Sequence, residues 1–261
     1  MPDTITNQSA RSIPSNPERL LLIRLSAVGD VINTLPALEA LRQTYPQAHI
    51  SYLVEDRAYT VIEGHPSIDE VILYPRKRWV KMFKTPGQWL QLWHEFRALL
   101  KQLREPQHDA VLNYQSNLKG ALFAYLSKAK IRFGFAKENS KESSHLFNHV
   151  QVSPQGGEQI NRVEKYIALS AALGADADKA AYRLPDRPDR RQAVQDWLQH
   201  ENIHHYAVIH PGTSDFGAQK RWLPERFAEL AQRIHQELGL ACVITWGPGE
   251  EELAQGIVED S

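Results

Sequence analysis

The chain has 261 residues, 42 % of them apolar, and a formal net charge of −1, so it is long enough to bury one large core or two smaller ones. That charge gives no global field favouring nucleic acid or an anionic membrane, so any such binding must come from local patches. A single cysteine, Cys242, excludes an intramolecular disulfide and fits a reducing cytosol.

The first 18 residues are polar, carry Pro14 and Pro17 and lack the apolar stretch of a secretory signal, so residues 1–18 read as a disordered lead-in. No apolar run approaches the roughly 20 residues of a membrane-spanning helix. Leu20–Leu25 is a buried strand, and the small-residue turn Ser26-Ala27-Val28-Gly29-Asp30 follows it directly. Val31, Leu35, Leu38, Leu41 and Tyr45 then mark one helix face, with Pro36 starting or kinking regular structure. His49–Val54 is a second strand, Ala58–Glu63 a short helix and Glu70–Tyr74 a third strand. Arg76 to Lys84 holds five cations interleaved with Trp79, Met82 and Phe83. Trp89 to Leu103 is a long amphipathic helix, Ala110–Asn113 a strand, Leu118–Leu126 a helix and Ile131–Phe133 a short strand. Residues 134–158 are polar and break the alternation, as a long functional or mobile loop does. A helix over 158–173 closes the first domain, 19–175. The prolines and charges of residues 176–190 make a linker. The alternation restarts in 191–261 with the strand Tyr206–Ile209, a helix through Phe227, Leu230, Ile234 and Leu238, and the strand Ala241–Trp246. Two strands do not complete a sheet, so this is the opening part of a second domain. Strands alternating with helices give an α/β fold with parallel, doubly wound sheets.

Three constellations could carry chemistry. Asp30 lies beyond the carboxyl end of the first strand, where ligands bind in open α/β sheets. Ser26, Ala27 and Gly29 allow close approach of a substrate to the backbone. The alternative is local: an Asp near a helix start satisfies free backbone N–H groups. The turn has one glycine, so it is neither a G-x-G-x-x-G fingerprint nor a Walker A loop, which counts against a dehydrogenase. The second constellation is His210-Pro211-Gly212-Thr213-Ser214 with Lys220, between a strand and the first-turn proline Pro224. Hydroxyls, backbone N–H groups and a lysine at a helix start make a phosphate cradle, against the alternative of an ordinary βα loop. The third is Arg76–Lys84, which suits an anionic amphiphile or membrane interface, against a solvated charged loop. Metal ligation finds no support: the close histidine pairs His204-His205 and His145/His149 lack a cysteine or carboxylate at a recognised spacing.

Together these blocks resemble the heptosyltransferase family of lipopolysaccharide assembly, glycosyltransferase family 9. The resemblance runs from Leu20 to the last residue. It rests on Ser26-Ala27-Val28-Gly29-Asp30-Val31 with Leu35-Pro36-Ala37-Leu38, and on Tyr114-Gln115-Ser116-Asn117-Leu118-Lys119. It rests further on His210-Pro211-Gly212-Thr213 with Lys220-Arg221-Trp222, and on Trp246-Gly247-Pro248-Gly249-Glu250-Glu251-Glu252. Arg78-Trp79 in a basic run resembles the type I enzymes, and the His-Pro-Gly and Phe-Gly segments the type II enzymes. The resemblance implies a GT-B arrangement of two Rossmann-like domains, the second incomplete here, and an inverting, metal-independent transfer of heptose from ADP-heptose to the Kdo–lipid A core, with no cofactor. Asp30 matches the general base. Thr213, Ser214 and Lys220 match donor-phosphate ligands, and Glu251 a carboxylate near the donor nucleoside. Ser26, Arg76, Arg78, Lys119 and Lys141 fall where the family places acceptor-binding groups. The partners implied are ADP-heptose, the anionic lipid acceptor and the cytoplasmic face of the inner membrane, with no nucleic acid. The family also carries an Asp-Thr-Gly-x-x-His block absent from this sequence, so the expectation is a chain without the part that completes the donor site and with apolar surface left uncovered. The rival expectation is a non-catalytic membrane-surface protein built on the first domain.

Overall fold

The computed structural model describes residues 4–7, 11–156, 160–213 and 215–261. The chain divides into two compact units, Met1–Asp186 and Arg187–Ser261.

Unit 1 is built on a seven-stranded sheet. In chain order its strands are β1 (Thr4–Asn7), β2 (Arg19–Ile23), β3 (His49–Glu55), β4 (Glu70–Tyr74), β5 (Ala110–Asn113), β6 (Ile131–Phe135) and β7 (Val150–Ser153). Their order across the sheet is β1-β7-β6-β5-β2-β3-β4, parallel except for β1, which runs antiparallel to β7. The helices are α1 (Val28–Ile32), α2 (Leu35–Thr44), α3 (Tyr59–Ile62), α4 (Arg76–Lys84), α5 (Trp89–Arg104), α6 (Leu118–Leu126) and α7 (Arg162–Ala171).

The continuous apolar run of β2 reflects burial on both faces, as parallel sheets require. Leu20 and Leu22 pack with Leu38 and Leu41 of α2 and Leu169 of α7. Leu21 and Ile23 face the other way, onto Met82 of α4, Leu103 of α5 and Phe123 of α6. Pro36 sits in the first turn of α2, where its missing N–H goes unneeded, so the expected single helix is two, α1 and α2.

Three expectations are corrected. Within the lead-in expected to be disordered, residues 4–7 form β1: alternating Thr-Ile-Thr is a strand pattern, and backbone pairing to β7 supplies what composition did not show. The supposed loop 134–158 contains β7 and two turns of 3-10 helix, Lys137–Asn139 and Ser144–Phe147. Val150-Gln151-Val152 is too short to announce a strand by its alternation, yet all three are buried between β6 and β1. Arg76–Lys84 is a helix: Asp56 Oδ2 accepts from the Lys77 N–H 2.9 Å away at its start, and Trp79 and Met82 face inward.

Unit 2 has two parallel strands, β8 (Tyr206–Ile209) and β9 (Ala241–Ile244), with helices α8 (Pro188–His200), α9 (Pro224–Leu238) and α10 (Glu251–Glu259). The helix α8 starts at a first-turn proline inside the segment read as linker. Its core is small: Ile209 and Ile244 pack on Ala228 and Ala231 of α9 and Ala254 and Ile257 of α10. No helix among the described residues is long and apolar enough to cross a membrane.

Candidate active site

In unit 1 the chain leaves β2 for α1 and α2 on one side, while β5 returns on the other. The gap between the carboxyl ends of β2 and β5 is the topological switch point, where open α/β sheets bind ligands. Gln115, just past β5, ties the two loops together: its Oε1 accepts from the backbone N–H of Leu25 at 2.9 Å and of Ser26 at 3.4 Å. Asn117 caps α6 by accepting from Gly120 N at 3.2 Å. A Cβ on Gly120 would lie 2.4 Å from the Gln115 Cβ, so glycine lets α6 begin directly against that side chain.

Asp30 occupies this switch point on α1, its carboxylate 13 % exposed. One oxygen pairs with Arg24 and the other with Arg162 at the start of α7. The Ala27 N–H, 3.3 Å away, adds a helix-start hydrogen bond, so the local reading is partly realised as well. Burial pushes the carboxyl upward, but Arg24 and Arg162 outweigh it and hold Asp30 below the usual carboxylate range. Arg24 is itself buried and donates to the Tyr114 carbonyl at 2.7 Å.

Cations outnumber the carboxylate here. Lys165 Nζ donates to the Asn139 carbonyl at 2.8 Å and sits 4.2 Å from the Phe135 ring centroid. Burial, then Arg24, Arg162 and Lys141, push the Lys165 ammonium down to about 8. Lys141 is held by its backbone N–H, which donates to the Ser116 carbonyl at 2.8 Å. Arg24, Arg162, Lys165 and Lys141 thus share one field, with Asp30 paired to the two arginines, an arrangement suited to an anion.

Of the expected acceptor-side residues, Ser26 and Lys141 belong to these strand-end loops. Lys119 instead pairs with the buried Glu55. Arg78 pairs with Glu95 at 2.5 Å, and neither Arg76 nor Arg78 bonds to Asp30; they stand on a separate cationic face. Arg24 and Gln115 stand inside informative sequence blocks that give them no role, and Arg162 and Lys165 stand outside every block. A signal existed for two of them: Arg162 and Lys165 share one side of the first turn of α7, where the helix dipole disfavours cations unless an anion is near.

In unit 2, the loop His210–Thr213 leaves β8, and Pro224 opens α9. Ser214 lies outside the described residues. Arg221 Nε donates to Thr213 Oγ1 at 3.3 Å, and its other nitrogen bonds the Thr213 carbonyl. Arg221 also lies 3.7 Å from Glu250 Oε1, while Glu250 Oε2 accepts from Gly247 N at 2.9 Å. A Cβ on Gly212 would come within 1.9 Å of Glu250 Oε2, so the His-Pro-Gly glycine makes room for that carboxylate. His210 Nδ1 sits 3.1 Å from Thr245 Oγ1. The carboxylate brought to the loop is therefore Glu250. Glu251 is exposed in the first turn of α10, and Lys220 is exposed with no ion pair among the described residues.

Residues 96–260, well over half of the chain, match glycosyltransferase family 9 (heptosyltransferase). The chain is 25 % identical over 237 residues to the lipopolysaccharide core heptosyltransferase OpsX of Haemophilus influenzae, covering 91 % of this chain and 62 % of that one. It is 25 % identical to lipopolysaccharide heptosyltransferase 1 of Escherichia coli K12, covering 92 % and 72 %. It superposes on E. coli heptosyltransferase WaaC with ADP-2-deoxy-2-fluoro heptose at a TM-score of 0.71 and 25 % identity, over 92 % of this chain and 73 % of that one. On the family 9 glycosyltransferase of Veillonella parvula the TM-score is 0.72 at 25 % identity, over 94 % and 66 %. The chain thus spans about two thirds of the length of these relatives, and its fold is of the GT-B type. By sequence and by fold, it belongs to glycosyltransferase family 9.

Proposed function

We propose that this chain serves the transfer of heptose from ADP-heptose to an anionic, lipid-linked acceptor, the Kdo–lipid A core of lipopolysaccharide. The observation that carries this reading is Asp30, fixed at the switch point between Arg24 and Arg162, with Lys165 in the field of both arginines and of Lys141. In the transfer, the acceptor hydroxyl gives its proton to the Asp30 carboxylate as its oxygen bonds the anomeric carbon. The carbon–oxygen bond to the diphosphate breaks, and its electron pair leaves with ADP. Attack opposite the leaving group inverts the anomeric centre. Lys220, the Thr213 hydroxyl and Arg221 supply positive charge and donors for the departing diphosphate, the task a metal ion performs elsewhere.

An Asp doubly paired with arginine is a weak base. Arg162 is the releasable partner, its side chain 65 % exposed against 8 % for Arg24. An acceptor carboxylate or phosphate that draws Arg162 away raises the basicity of Asp30 as the hydroxyl arrives. In this reading the cations of α4 face an anionic membrane surface, and the protein works at the cytoplasmic side of the inner membrane.

The test incubates the chain with ADP-heptose and Kdo–lipid A in mixed micelles, following ADP release and the acceptor mass. The expected result is a single added heptose. Addition only to an acceptor that already carries one heptose would move the assignment to the type II reaction. Binding of vesicles without donor binding or transfer would leave a non-catalytic surface protein.

A further inference from the structure

The cation-rich helix α4 does not lie flat against its neighbours. Between α4, α5 and α6 the structure leaves an open groove of about 570 Å³. Trp79 and Phe96 form part of its lining, with Phe83, Trp89, Trp93 and Leu122. Phe83 and Trp89 are 67 % and 65 % exposed, although they stack on each other with ring centroids 6.5 Å apart. Exposed aromatic surface of this extent marks a binding site rather than scattered apolar residues.

Two features define the occupant. The first is the direction of the polar tips. Trp79 Nε1 donates to Glu95 Oε2 at 2.9 Å, and Trp89 Nε1 donates to the Phe83 carbonyl at 3.0 Å. Both indole N–H groups are satisfied within the protein, so these rings offer the groove carbon surface. With Val80, Leu92, Phe96, Leu122 and Phe123 they make a lining that is mostly carbon, which suits a hydrocarbon better than a group that must keep its hydrogen bonds to water. The second is the rim. Lys84 and Lys119 line the groove, and Lys77 and Lys81 stand on the same helix as Lys84 with no ion pair among the described residues. The carboxylates nearby are engaged: Glu95 with Arg78 and Trp79, Glu55 with Lys119, and Asp56 with the Lys77 N–H. The rim is thus net cationic around an apolar trough.

We infer that this groove holds one hydrocarbon chain of an anionic lipid, whose head group is met by the lysines of α4. The inference rests on the proposed transfer to a lipid-linked acceptor and deepens it: the protein grips the acceptor by a tail as well as by its sugars. This differs from adsorption of α4 on a bilayer, because a groove of fixed size saturates with one chain and stops rewarding longer ones.

The experiment titrates the full chain with n-alkyl phosphates from hexyl to tetradecyl, each below its micelle concentration, and reads tryptophan fluorescence. No donor is present, so the outcome is independent of heptose transfer. We expect one chain per protein and about fourfold tighter binding per added methylene, levelling off once the groove is full. Alkyl maltosides of equal length should bind at least tenfold more weakly. Leu122→Trp should weaken decyl phosphate binding at least tenfold by filling the trough. Phe83→Gln, at a position where most of the side chain meets water, should weaken it as well. Binding only to micelles or vesicles, equal affinity for neutral and anionic tails, or indifference to both variants would overturn the groove. Tail binding without transfer to any acceptor would count against the proposed activity alone; transfer to acylated and deacylated acceptors alike, without tail binding, would count against the groove alone.

Discussion

The two units solve the same problem to different extents. In unit 1, β2 is buried on both faces, and helices cover the two sides of the sheet with separate apolar clusters. In unit 2, β8 and β9 use only one face: Ile209 and Ile244 enter the core, while Val208 is 58 % exposed. Two parallel strands covered on one side bury little apolar area, and sheets of that size are marginal by themselves. Each unit places its polar constellation beyond a strand's carboxyl end, Asp30 after β2 and Thr213 after β8. Site placement therefore follows from the βα unit alone, whereas stability depends on how many such units pack together.

The sharpest way to break this contrast is chemical. Asp30→Asn should lower heptose transfer by about two to four decades, with donor affinity unchanged in calorimetry. Lys220→Ala should do the reverse, weakening ADP binding about tenfold or more as a charge-assisted contact is lost. If both variants altered the same parameter, the division of labour between the units would be wrong.

A packing comparison comes next. Leu22→Ala in β2 should destabilise unit 1 by about 2–5 kcal/mol in urea unfolding, because both its strand neighbours and helices α2 and α7 lose contacts. Val208→Ala in β8 should stay within roughly 0.5 kcal/mol, since half of that side chain already meets water. Equal effects would show that the exposed face of β8 is covered in solution.

Acid should distinguish the units too. His108, fully buried before β5, is pushed down to about 4, chiefly by desolvation. The native state keeps this ring neutral while the unfolded chain protonates it near 6.5, so the unfolded state binds more protons between these values. Stability is then full above pH 6.5 and falls toward pH 4, by about 2–3 kcal/mol over the window. His108→Leu should make the pH dependence of unit 1 unfolding shallower. The smallest expected effect concerns Lys165. With its ammonium near 8, affinity for an anionic acceptor should drop severalfold as the pH rises from 7 to 9. Lys165→Arg should remove that drop, since a guanidinium stays charged.

Much of the architecture was legible because apolar periodicity and turn residues carry it. The β2 run, the Pro36 break and the first-turn Pro224 each state their structure locally. What escaped was set by distant partners. The strand β1 exists through pairing with β7, about 145 residues away along the chain. The cations of this site come from the turn after β2, from the loop after β6 and from α7, and only the assembled sheet brings them together. Glu250 and Glu251 are indistinguishable by type; that Glu250 is the one seated against Gly212 shows only in the folded loop.

The antiparallel strand at the margin of unit 1 has a consequence for colloidal behaviour. Without β1, the row of backbone donors and acceptors along β7 would be open to another chain, and Val150-Gln151-Val152 is a β-prone segment. With β1 in place, the backbone groups of β7 are paired, and the strand at the margin carries two threonines around a single apolar residue, Ile5, a poorer template for self-pairing. Trimming the first ten residues to tidy the N-terminus would thus trade a solubility device for an adhesive edge, visible as growing light scattering well below the unfolding temperature.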